Sequence, residues 1–155
     1  MRSPTKYAPT TVAAITLLLA TAASATERGT PAEAQALLDK SVQHYLQVGP
    51  DQAFADFRDP NSSYRDRDLY VWCVDKADTV VFHATTPALI GKDTKNVPDA
   101  DRNLFAPPLT RAAFVNGTAT TDYKWVNPLS SKIEPKVALA RRVSDDLVCV
   151  VGYYK

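Results

Sequence analysis

The run Leu69-Tyr-Val-Trp-Cys-Val74 constrains this chain more than any other stretch: six apolar residues in a row, rich in β-branched and aromatic side chains, with no polar alternation. Successive side chains of a strand point to opposite faces, so a strand of this composition belongs in the middle of a sheet covered on both sides. Residues 75–78 turn the chain and residues 79–84 return as its hairpin partner. That turn lacks the glycine that tight hairpins favour, so a longer or Asp-capped loop is expected. Three further strands are read at 119–126, 135–143 and 147–154, the last pair joined by Ser144-Asp-Asp146.

Helices precede and interrupt these strands. Thr30-Pro31-Ala32-Glu33 is a capping box with Pro at the first helical position. The helix it opens carries Ala34, Leu37, Leu38, Ser41, Tyr45 and Val48 at helical spacing, and Gly49-Pro50 ends it. His44 falls on its polar side, where a surface role is expected. A short second helix over 50–57 would bury Ala53, Phe54 and Phe57. Between the second and third strands, residues 85–118 form a long excursion. It has turns at Thr85-Thr-Pro87 and Gly91-Lys-Asp93, and a helix over 104–115 interrupted or restarted at Pro107-Pro108. Such an excursion in a small domain serves as a lid or binding wall. The assembly is α+β: an amphipathic N-terminal helix packed on a five-stranded antiparallel sheet.

At 155 residues the chain holds one domain, read as 26–155 behind a secretory signal peptide at 1–25. The basic Arg2 and Lys6, the apolar run 12–23 and the small-residue site Ala23-Ser24-Ala25 carry that reading; an uncleaved anchor is its alternative. No second apolar stretch follows, so the mature product is expected to be soluble, exported and not inserted in the membrane. Loss of Arg2 and Lys6 takes the 18 basic residues to 16 against 17 acidic ones, a formal charge of −1. This offers no electrostatic basis for binding nucleic acid or an anionic membrane. Cys73 and Cys149 have neither CxxC nor Cys/His cluster spacing, so no metal or haem is expected and no cofactor is implied. Both lie within apolar strands, and the residues alone admit either a disulfide or two buried thiols. No nucleophile elbow, HExxH or paired-carboxylate motif singles out a catalytic group, so the chain is not read as an enzyme.

The stretch 123–136 carries the candidate chemistry. Alternation puts Tyr123 and Trp125 on one side of a strand, Asn127-Pro128 with Ser130-Ser131 reverses it, and Lys136 lies early in the returning strand. The residues admit two readings: ordinary half-buried strand aromatics with a solvated lysine, or aromatic walls with one cation that suit a compact anion, a short carboxylate held by Lys136 between the rings of Tyr123 and Trp125. His83, near the end of the second strand, could donate a hydrogen bond. Tyr70 and Trp72 face the same way, toward either pocket or helix.

The distributed pattern resembles the single Cache domain family of extracytoplasmic sensor modules. It runs through Gly49, Ala53 and Phe57; Leu69-Tyr-Val-Trp72; His83, Pro87 and Leu89-Ile-Gly-Lys92; Asp99; Tyr123-Lys-Trp-Val-Asn-Pro128; Lys136; and Val151-Gly-Tyr153. The resemblance implies a PAS-like sheet with a long N-terminal helix behind it and a small-molecule pocket between sheet and lid. Tyr70, Trp72, His83, Tyr123, Trp125 and Lys136 become its ligand-binding set. It also implies neighbouring first and last strands, hence a Cys73–Cys149 disulfide. Two departures touch turn geometry: no hairpin Gly near Ala77-Asp78, and Asn103 where the lid often has Gly. The expected function is a free-standing periplasmic binder of a small carboxylate that reports to a membrane sensor kinase or chemoreceptor, or sequesters its ligand. A protein-interaction subunit with a vestigial pocket is the alternative.

Overall fold

The structure, a computed structural model, describes residues 28–155, so the expected signal peptide lies outside the described residues. The elements are α1 (Pro31–Val48), α2 (Pro50–Arg58), β1 (Val71–Asp75), β2 (Val80–His83), α3 (Ala106–Asn116), β3 (Thr118–Val126), β4 (Ile133–Arg142) and β5 (Leu147–Tyr154). Short 3₁₀ turns at Pro87–Leu89 and Thr94–Asn96 interrupt the lid. The five strands form one sheet in the order β2-β1-β5-β4-β3, every neighbouring pair antiparallel. β1 and β5 lie inside the sheet, which is why their sequences are apolar on both faces. Among the described residues no helix is long and apolar enough to cross a membrane.

One face of the sheet is covered by α1 and α2. The capping box starts α1: Glu33 N–H donates to Thr30 Oγ1 at 3.2 Å, and Thr30 N–H to Glu33 Oε2 at 2.7 Å. α1 buries Ala34, Leu37, Leu38, Ser41 and Val42. Val48, expected on that stripe, is exposed in the last turn before the Gly49 break, and Val42 is buried instead. His44 is not a surface residue: it is half-buried, stacks on Tyr64 at 4.7 Å and lies 2.6 Å from Asp56 Oδ2. α2 buries Ala53 and Phe57, and Phe54 stacks on Phe82 of β2 at 4.7 Å. Phe82 pairs with Cys73, which pairs with Cys149 across β1 and β5, so these three share the helix-covered face. Cys73 and Cys149 are 4.1 Å apart at Cα and joined by a disulfide.

The lid covers the opposite face. α3 begins at Ala106, so Pro107 and Pro108 fall in its first turn, where no intrahelical N–H is needed. The helix is therefore started, not interrupted, by the prolines. Its buried Leu109, Thr110 and Ala113 lie over β3 and β4. The β1–β2 turn is Asp-capped, with Asp75 Oδ1 accepting from Ala77 N–H at 2.9 Å and Thr79 N–H at 2.8 Å. Asp78 takes the left-handed conformation (φ 65°) that a hairpin glycine would supply, and in the lid Arg102 does so (φ 67°), one residue before Asn103.

Candidate functional site

Cross-strand register decides which side chains share the lid face. Trp72 pairs with His83 on one side and Val150 on the other, the phase opposite to Cys73, so Trp72, His83 and Tyr70 all face the lid. Tyr123 pairs with Lys136, which pairs with Tyr154, and Trp125 pairs with Glu134. The β3–β4 reversal is built on Asn127, whose Oδ1 accepts from Leu129 N–H at 2.9 Å and whose Nδ2 donates to Glu134 Oε2 at 3.0 Å. Tyr123 and Trp125 rings sit 6.1 Å apart.

The slot between those rings is not where the cation lies. Phe105, at the entry to α3, stacks on Tyr123 at 4.1 Å and meets Trp125 and Trp72 edge-on at 5.9 and 6.1 Å. Lys136 runs the other way, across β5. A Cβ at Gly152 would stand 2.6 Å from Lys136 Cε and 3.1 Å from Tyr123 Oη, so the lysine stem crosses the sheet where β5 has no side chain. Its Nζ ends 4.0 Å from the ring centroid of Tyr70 and 4.2 Å from that of Tyr154. Lys136 is 1% exposed and its Nζ has no hydrogen-bond partner. Two cation–π contacts offset part of the desolvation of the ammonium, which water would otherwise solvate with three hydrogen bonds.

Burial sets the electrostatics. It pushes the Lys136 ammonium down to about 7, against a smaller opposing pull from Asp68. Burial, with the nearby Lys136 charge, pushes His83 down to about 3, so its imidazole is neutral at pH 7. His83 Nδ1 accepts the Thr86 N–H at 3.0 Å, which puts the ring proton on Nε2 and leaves that nitrogen to donate. Burial also raises Tyr70 to about 12 and Tyr123 well above the usual phenol range.

Tyr70, Trp72, His83, Phe105, Tyr123 and Trp125 help to line a cavity of about 20 Å³ between sheet and lid. Tyr70 and Tyr123 are also the wall behind which the Lys136 head lies. Two carboxylates pin the lid over this arrangement. Asp78 pairs with Lys95 at 3.0 Å and Arg111 at 3.3 Å, tying the lid to the β1–β2 turn. Asp99 accepts from Asn103 N–H at 2.8 Å and Lys124 N–H at 3.2 Å, tying it to β3.

The six residues singled out in the sequence are thus brought to one face. Phe105, Tyr154, Gly152 and Asp68 were not among them. A lone glycine inside an apolar strand is a readable signal of close approach, which Gly152 fulfils. Phe105 sits in an irregular segment and Asp68 in a turn, and neither carries a local periodic signal.

The profile of the family described as Single Cache domain 2 matches residues 11–154. No curated protein matches the chain. Three solved structures share its fold. A methyl-accepting chemotaxis protein from Vibrio parahaemolyticus has a TM-score of 0.67 at 20% identity, covering 77% of this chain and 84% of that one. A periplasmic sensor domain of a chemotaxis protein has a TM-score of 0.60 at 23% identity, with coverage of 78% and 87%. A Cache chemosensory domain described for carboxylic acid recognition has a TM-score of 0.58 at 18% identity, with coverage of 78% and 85%.

Proposed function

Because the chain belongs to the single Cache domain family of sensor domains, we propose that it is a periplasmic ligand-binding domain whose ligand is a short carboxylic acid held at Lys136. One observation carries this reading: a buried ammonium with aromatic rings on two sides and no hydrogen-bond partner. An isolated buried charge is costly, and a carboxylate supplies what is missing, an anion with several acceptor positions. Tyr70 and Tyr123 contribute hydroxyls beside it, and neutral His83 a donor at Nε2. Trp72, Phe105 and Trp125 supply apolar wall for a short tail.

The cavity is small, about 20 Å³, and Phe105 stacks on Tyr123 beside it, so on this reading uptake moves Phe105 off Tyr123 and shifts the lid. This is a ligand-dependent change of shape, the property a sensor needs. The domain would pass that change to a membrane sensor kinase or chemoreceptor. The geometry favours binding over catalysis: the described groups offer a cation and aromatic walls, with no nucleophile paired to a base. The chemotaxis and carboxylic-acid descriptions of the structural neighbours support the same reading.

A thermal-shift panel of short acids, amines and sugars tests it. A ligand at a hundredfold excess over its Kd adds about 2.7 kcal/mol, a shift of several degrees. Acids should shift the melt of the parent and not of Lys136→Met; a response to amines or sugars alone would overturn the assignment.

A further inference from the structure

Resting on the reading of the lid-side pocket as an acid site, we propose that Asp68 is a second ligand anchor facing Lys136. The acid bound there then carries a hydrogen-bond donor on the carbon next to its carboxylate: a 2-hydroxy or 2-amino acid, not an unsubstituted one.

Asp68 is fully buried, in the tight turn closed by the Asp66 and Leu69 backbones just before β1. Its Oδ1 accepts the Gly29 N–H at 2.7 Å. Its Oδ2 has no partner, and together with Lys136 Nζ and Thr94 Oγ1 it completes the set of such buried atoms among the described residues. Native proteins pair nearly all buried polar atoms, so two of opposite character near one another call for a common explanation.

They do share a neighbourhood. Tyr70 follows Asp68 by two residues, and its ring holds the Lys136 ammonium at 4.0 Å. The charge of Asp68 favours the protonated Lys136 and disfavours ionisation of both Tyr70 and Tyr154, the two rings around that ammonium. Yet the two residues form no ion pair with each other, since neither free atom has any partner. A cation that can only donate and a carboxyl oxygen that accepts are therefore both buried close to Tyr70, each without a partner.

An unsubstituted acid satisfies the first and not the second, and its carboxylate adds a negative charge beside Asp68. A hydroxyl or ammonium on the adjacent carbon donates to Oδ2 while the carboxylate takes Nζ, so one small molecule meets both. The ammonium form also leaves the Asp68–Lys136 neighbourhood without excess charge. A site built to hydrogen-bond a substituent discriminates strongly against the analogue that lacks it, because the buried partner is left unpaired.

Propionate, lactate and alanine have the same carbon count and differ at that carbon, so titration calorimetry of the purified chain with the three is the test. Lactate or alanine, or both, should bind at least tenfold more tightly than propionate. Asp68→Asn keeps an acceptor for Gly29 N–H and removes the charge facing Lys136; it should erase that preference, with propionate bound no more weakly than by the parent. Equal binding of all three by the parent, or a preference that survives Asp68→Asn, overturns the proposal. If Asp68→Asn does not fold, the ranking in the parent decides. If none of the three binds, the acid reading of the pocket fails and this proposal falls with it.

Discussion

The two faces of one sheet are buried by different physics. On the helix side Cys73, Phe82 and Cys149 meet Phe54, Phe57 and the apolar stripe of α1, with a disulfide across β1 and β5. On the lid side the same strands present Tyr70, Trp72, His83, Tyr123 and a buried lysine without a partner. The first face is packed for stability, and what it buries is what water rejects. The second holds groups that folding alone would leave in water, which is how a binding surface differs from a core. The teaching is that the packed core and the proposed recognition surface are divided here by side-chain alternation, one residue apart along β1.

The largest break in that comparison comes from the helix face. Phe57→Ala removes a fully buried ring that packs edge-on against Phe82 and should destabilise the fold by about 3–5 kcal/mol. Denaturant melts should show that loss, with ligand affinity of the remaining folded protein unchanged. Next is the crosslink, which spans a sequence separation of 76 residues; reduction, or Cys73→Ala with Cys149→Ala, should cost about 2–4 kcal/mol. Equal melting temperatures with and without reductant would contradict it.

The lid face should respond with the opposite sign. Lys136→Met exchanges a buried unpaired cation for an apolar stem and should stabilise the ligand-free fold by about 1–3 kcal/mol while acid binding is lost. A pH titration sharpens the point. The folded-state pKa of Lys136 is lowered from 10.5 to about 7, so between those values the unfolded chain binds the extra proton. Parent stability should therefore rise from about pH 7 toward pH 10, and the rise should be absent in Lys136→Met. Above pH 10 the buried tyrosines, with raised pKa values, turn the curve down. The smallest effect is Thr30→Ala, which removes the α1 cap at about 1 kcal/mol and should leave both faces otherwise as they are.

The elements were legible because each carries a local signature. The capping box and Gly49-Pro50 bound α1 closely, and the strand runs fell within two residues of β1, β2, β3, β4 and β5. The α3 start stayed open between a helix interrupted and one restarted at Pro107-Pro108, because in sequence a helix initiated by prolines looks like one broken there. That the candidate residues share one face was legible, but their geometry was not. Tyr123, Trp125 and Lys136 are neighbours in the hairpin, but the direction taken by the lysine head depends on Gly152, on another strand, and the ring slot is occupied by Phe105 from the lid. Neither fact is local. Asp68 was invisible for the same reason: its relevance comes from Tyr70 and Lys136 meeting above β5.

The disulfide has a mechanical consequence. A strand pair riveted at Cys73 and Cys149 cannot slide, so β1 and β5 act as a stiff plate beneath the proposed ligand site. At one margin stands the Asp78 clasp on Lys95 and Arg111; at another, Asp68 grips the backbone of Gly29 immediately before α1. A molecule that tugs on Asp68 pulls on a lever that begins one residue from the cap of α1.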